Sequence, residues 1–162
     1  MKTQLLFLFA LLVTLNGNAQ CTNIPATETS GNLTYTFVGG SFQSFGCAPI
    51  DPTYWMAGGG PSVTVTFSTP QDYPRFRVWG MNTDDTASVM VNGVSYSMNS
   101  TTATYLPKVV CGISPGPEGI TFSNGNIAGS NTPQEGNYSY SDVQLTTTGV
   151  NSIKVTAVSG AG

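Results

Sequence analysis

The chain has 162 residues, of which only 8% are charged, and it contains no histidine. Lys2, Arg75, Arg77, Lys108 and Lys154 are its whole basic complement against eight acidic residues. No basic stripe exists to neutralise phosphates, which excludes nucleic acid as a partner, and the lack of histidine removes Ser-His-Asp and Cys-His catalysis together with the commonest zinc ligand.

Lys2, the apolar run over residues 5–15 broken only by Thr14, and the small residues Gly17-Asn18-Ala19 have the layout of a secretory signal peptide. The run is too short to remain as a membrane span, and no second apolar stretch follows it. Cleavage after Ala19 removes residues 1–19 and leaves residues 20–162 as a single domain outside the cytoplasm, secreted or held at the cell surface. Three cysteines, Cys21, Cys47 and Cys111, predict one disulfide and one thiol in an oxidising compartment. Spacing leaves the pairing open: Cys21–Cys47 closes the shortest loop, and Cys47–Cys111 is nearly as acceptable. Gln20 is the wrong residue to precede an acylated Cys21.

Period-two alternation recurs along the rest of the chain. Leu33, Tyr35 and Phe37 alternate with Thr34, Thr36 and Val38; Val63, Val65 and Phe67 alternate with Ser and Thr; Phe76 and Val78 alternate with Arg75, Arg77 and Trp79. Later come Ile120 with Phe122, Val143 with Leu145, and Ile153, Val155 and Ala157. The density of Thr and Val suits a pleated surface. Gly- and Pro-rich segments at 58–61 and 114–117 punctuate about eight or nine predicted strands.

Asn92-Gly93 predicts a two-residue type I′ hairpin between strands at 87–91 and 94–98. Counting outward by twos puts Ala87, Val89, Val91, Val94, Tyr96 and Met98 on one apolar face, with Ser88, Met90, Ser95 and Ser97 opposite. Residues 123–138 read as one long polar connection. Half-apolar antiparallel strands need a second sheet to cover them, so the expected fold is all-β: an antiparallel, jelly-roll-like β-sandwich. Its end at Ser159-Gly160-Ala161-Gly162, just after a strand, fits either a natural terminus or a truncated one.

Catalysis would have to rest on paired carboxylates, but the eight available sit beside turn residues or at strand ends, so a non-catalytic domain is expected. Asn82, Asp84 and Asp85 form the densest polar cluster. They can supply oxygen ligands to Ca2+, although an Asx-type turn asks less of them; no other cofactor is implied. Aromatics suggest more. Alternation puts Trp79 on the face of Arg75 and Arg77, opposite Phe76 and Val78, while Tyr54 and Trp55 lie in a Pro- and Gly-rich stretch. Trp79, Tyr54, Trp55 and Arg77 are therefore the candidate ligand-binding residues, able to stack on a sugar ring; the competing reading buries the two tryptophans as packing.

The signal sequence ending Gly17-Asn18-Ala19-Gln20, with the stretch from Ser62 to Pro70 and on through Trp79-Gly80-Met81-Asn82, is similar to β-sandwich modules of the surface and gliding-associated proteins of the Bacteroidetes. That resemblance covers about the middle third of the chain. It implies a non-catalytic spacer, adhesin or glycan binder, and Asp85-Thr86-Ala87 resembles the O-glycosylation triplet of that group. The sorting domain many such proteins carry at their C-terminus has no counterpart here, so the resemblance specifies no export route beyond the inner membrane. The leading expectation is a structural or adhesive module contacting a cell-surface protein or glycan. The alternative is a carbohydrate-binding module built on the exposed aromatics.

Overall fold

Thirteen strands and no helix make up the residues described by a computed structural model, namely 29–44, 52–111, 119–130 and 138–160. They are β1 (Thr29–Ser30), β2 (Leu33–Val38), β3 (Ser41–Gln43), β4 (Thr53–Trp55), β5 (Ser62–Gln71), β6 (Arg75–Trp79), β7 (Thr86–Val91), β8 (Val94–Tyr96), β9 (Ala103–Cys111), β10 (Ile120–Ser123), β11 (Asn126–Gly129), β12 (Tyr138–Leu145) and β13 (Val150–Ser159). The signal-peptide segment, Cys21 and Cys47 lie outside the described residues. Cys111 closes β9.

Eight strands form one sheet in the order β1-β2-β5-β13-β7-β11-β10, with β8 also paired to β7. Three more form a second sheet, β6-β12-β9, and β3 pairs with β4 in a separate hairpin. Every pairing is antiparallel. Val89, Val91, Ile127, Ile153 and Val155 of the large sheet share one core with Ala103, Val143 and Leu145 of the small one. The chain is thus an all-β sandwich, its strands set by the alternation that puts each apolar residue on the inner face.

The Asn92-Gly93 turn forms as the sequence predicts. Both residues take positive φ, 52° and 78°, as a type I′ turn requires, and the register pairs Val91 with Val94 and Val89 with Tyr96. The Asn92 side chain also ties this tip to the start of β13. Its Oδ1 accepts the Asn151 and Ser152 N–H groups at 2.7 and 3.1 Å, and its Nδ2 donates to the Gly149 carbonyl. One expected core position is corrected. Ala87, Val89, Val91 and Met98 are buried and Tyr96 is half-buried, but Val94 is 69% exposed. It lies beside the turn, on the same side of the hairpin as its partner Val91.

The connection expected over 123–138 is also corrected. Asn124 and Gly125 take φ of 51° and 78° and close a second Asn-Gly hairpin, in which Ser123 pairs with Asn126 and Ile120 with Gly129. Met98 meets Gly125 across an isolated bridge, so the two hairpin ends touch. β9 contains Pro107, which cannot donate to a ladder. It is accommodated because β9 lies at the edge of the small sheet.

Candidate ligand-binding cleft

Three strands cannot cover eight. The buried core joins β5, β13, β7, β11 and β10 of the large sheet to the small one, while Leu33 of β2 and Phe67 of β5 are only half-buried. There a cleft of about 920 Å³ opens, lined by Tyr35 of β2, Val65 and Phe67 of β5, and Ile153 and Val155 of β13. β6 contributes along its whole length, and Tyr54, Trp55 and Met56 of the β3–β4 hairpin and the residue after it complete the lining. The volume falls at the upper end of the range for small-molecule sites, and a mostly apolar lining with a few placed polar groups is their usual chemistry.

All four ligand-binding candidates, Trp79, Tyr54, Trp55 and Arg77, line this one cleft although they come from separate parts of the chain. β6 pairs with β12 so that Arg75 lies opposite Gln144, Arg77 opposite Asp142 and Trp79 opposite Tyr140. The side chains follow that register. Arg77 donates from Nε and Nη2 to the two Asp142 carboxylate oxygens at 2.6 and 3.0 Å, a bidentate pair. Its guanidinium also sits 4.0 Å from the centroid of the Tyr140 ring. Arg75 Nε donates to Gln144 Oε1 at 3.0 Å. Polar groups along this strand are therefore held in fixed positions before any ligand arrives.

Tyr54 is positioned from the other side. Its ring packs against Phe37 and Phe42 with centroid separations of 4.8 and 5.3 Å, and its hydroxyl accepts the Gly40 N–H at 3.0 Å. A Cβ on Gly40 would collide with that ring and with the Trp55 carbonyl, so the close approach requires glycine here. On the floor, Tyr35 stacks with Phe37 at 6.1 Å, and burial raises the Tyr35 phenol above its ordinary pKa.

The Asn82, Asp84 and Asp85 cluster is a self-capped turn. Asp85 Oδ2 accepts the Asn82 N–H at 2.7 Å while the Asp85 N–H donates to the Asn82 carbonyl at 2.9 Å. Asp85 is 5% exposed, whereas Asp84 stands in solvent, so the two carboxylates face different surroundings. Among the described residues no group of three His, Cys, Asp or Glu side chains stands together as a metal set. Thr86, inside the glycosylation-like triplet, shares a 2.7 Å hydrogen bond with the Ser159 hydroxyl.

One cleft residue is not singled out by the sequence. Tyr73, in the β5–β6 turn, is 52% exposed and lines the cleft at the Arg75 end of β6. Its place between Asp72 and Pro74 reads as ordinary turn chemistry, and alternation carries no signal outside a strand. Comparison of the chain with protein families, with characterised proteins and with solved structures finds no match.

Proposed function

We propose that this protein is an exported, non-catalytic β-sandwich module that binds carbohydrate in the cleft between β6 and the β3–β4 hairpin, and through it adheres to glycan at a cell surface. The observation that carries the reading is the gathering of Tyr54, Trp55, Trp79 and Arg77 around one cleft. Sugar recognition needs apolar ring faces beside fixed hydrogen-bonding groups. The aromatics supply the first, and the Arg77–Asp142 and Arg75–Gln144 pairs supply the second. The conformational cost of arranging those groups is already met in the fold.

Tryptophan fluorescence of the purified protein, titrated with a panel of soluble glycans, tests the reading. We expect at least one neutral glycan to perturb the emission, with Trp79→Ala lowering its affinity about tenfold or more. That scale follows by analogy from base–aromatic stacking, worth about 1–3 kcal/mol per ring. Trp79→Phe, which keeps a ring in place, should retain most of the affinity. If no glycan binds the wild type, the carbohydrate reading falls and a purely structural or protein-contacting surface role takes its place.

A further inference from the structure

Tyr73 has a φ of 53°, in the left-handed region that bulky side chains rarely adopt. Glycine would occupy that position without strain, yet an aromatic residue is held there. The hold is firm. The Tyr73 N–H donates to the Thr147 carbonyl at 2.9 Å, the Leu145 N–H to the Pro74 carbonyl at 3.0 Å, and the Gly149 N–H to Asp72 Oδ1 at 2.9 Å. The β5–β6 turn is thereby clamped to the turn between β12 and β13. The residue stays 52% exposed and lines the cleft. Strained backbone that the surroundings enforce gathers at ligand-binding positions.

From this placement we infer that Tyr73 is a second stacking platform, at the opposite end of β6 from Trp79, and that the cleft takes a neutral oligosaccharide lying along the strand rather than a single sugar. The inference rests on the carbohydrate-binding reading and adds length and charge to it. Arg75 to Trp79 spans about 14 Å at the rise of an antiparallel strand, and Tyr73 lies beyond Arg75. A short chain of pyranose rings laid along that span places its outer rings over Tyr73 and Trp79. Between the platforms run Arg75 with Gln144 and Arg77 with Asp142, set to meet hydroxyl groups from successive rings.

The charges of the lining argue for a neutral chain. Two guanidiniums, Arg75 and Arg77, face three carboxylates, Asp72, Asp85 and Asp142. Arg77 is already paired with Asp142, and Asp72 and Asp85 accept backbone N–H groups. A uronic acid or sulfated chain would bring more negative charge to a cleft that carries a negative excess.

Calorimetric titration of the full-length mature protein with cello-, xylo-, manno- and laminari-oligosaccharides of one to six units, and with oligogalacturonate, tests this. In the series that binds, the tetrasaccharide should bind at least tenfold tighter than the disaccharide, with little gain beyond it. Tyr73→Gly should abolish most of that gain and leave the melting temperature unchanged or higher. Tyr73→Leu, which keeps apolar bulk without a flat ring, should lose the same gain. Equal affinity for disaccharide and tetrasaccharide, preference for oligogalacturonate, or undiminished tetrasaccharide binding by both variants overturns the inference and leaves the carbohydrate reading standing. Absence of binding to every series overturns the reading itself, and the inference with it.

Discussion

Ser141 sits on the inner face of β12, between Val78 of β6 and Pro107 of β9. It is fully buried, and its hydroxyl has no hydrogen-bond partner among the described residues. A hydroxyl withdrawn from water without a partner costs about 1–3 kcal/mol. Ser141→Ala removes the orphaned group at a small loss of volume, so we expect thermal unfolding of the variant to shift upward, by an amount corresponding to about 1 kcal/mol or more on those figures. An unchanged or lower melting temperature would mean that the hydroxyl finds a partner in solution. The glycines of this structure carry a different kind of constraint. Gly160 has a φ of 111°, and a Cβ there would overlap the Asp85 carboxylate, which caps the Asn82 turn. The polar cluster before β7 is thus fixed from the far end of β13, a constraint that no local reading of residues 82–85 contains.

The two Asn-Gly hairpins show what strands and turns disclose locally. In each, asparagine and glycine both take positive φ, and the dipeptide sets a two-residue turn with little reference to the rest of the chain. Residues 92–93 are recognisable because apolar alternation flanks them. Residues 124–125 are hidden because β10 and β11 are only four residues each and the flanking residues Ser123 and Asn126 are polar. Val94 marks a second limit. A period of two assigns a residue to a face, but how far the opposing sheet extends depends on distant strands. The pair Val91 and Val94 turns this into an expected outcome. They lie directly opposite each other, yet Val91 is 9% exposed and Val94 is 69% exposed. Val91→Asp buries a charge beside Ile153, its partner across β13, and should cost about 3 kcal/mol or more. Val94→Asp stays in solvent and should shift stability by no more than about 0.5 kcal/mol. Denaturant unfolding of the two variants decides it: equal losses would mean that the tip of the hairpin is covered in solution.

At the scale of the molecule, the sandwich and its cleft have one origin, the unequal size of the two sheets. That inequality was not legible beforehand. β13 runs between β5 and β7, whose paired residues lie 79–94 and 62–73 positions earlier in the chain, and nothing in the composition of Ile153, Val155 and Ala157 names them. Alternation predicts two faces for β6, but Phe76, Arg77, Val78 and Trp79 are all half-buried and all line the cleft; the turn residue Tyr73 carries no such signal. Charge scarcity also has a global consequence. Without histidine the chain lacks the side chain whose ordinary pKa lies between pH 5 and 8, so its stability should vary little across that window and change at the alkaline end. Tyr35, on the cleft floor, is 3% exposed, and burial raises its phenol above the ordinary value of 10.0. Above that value the unfolded chain gives up this proton while the folded chain keeps it. The contribution to stability is therefore fully present below about pH 10 and is lost as pH rises through the folded value. Tyr35→Phe removes the titrating group and keeps the ring that stacks on Phe37. Melting temperatures of wild type and variant, measured from pH 7 to pH 11.5, should run parallel up to about pH 10 and then part, with the wild type falling more steeply. Parallel curves throughout would show that the phenol reaches water in the folded protein, and would place the cleft floor in contact with solvent at that depth.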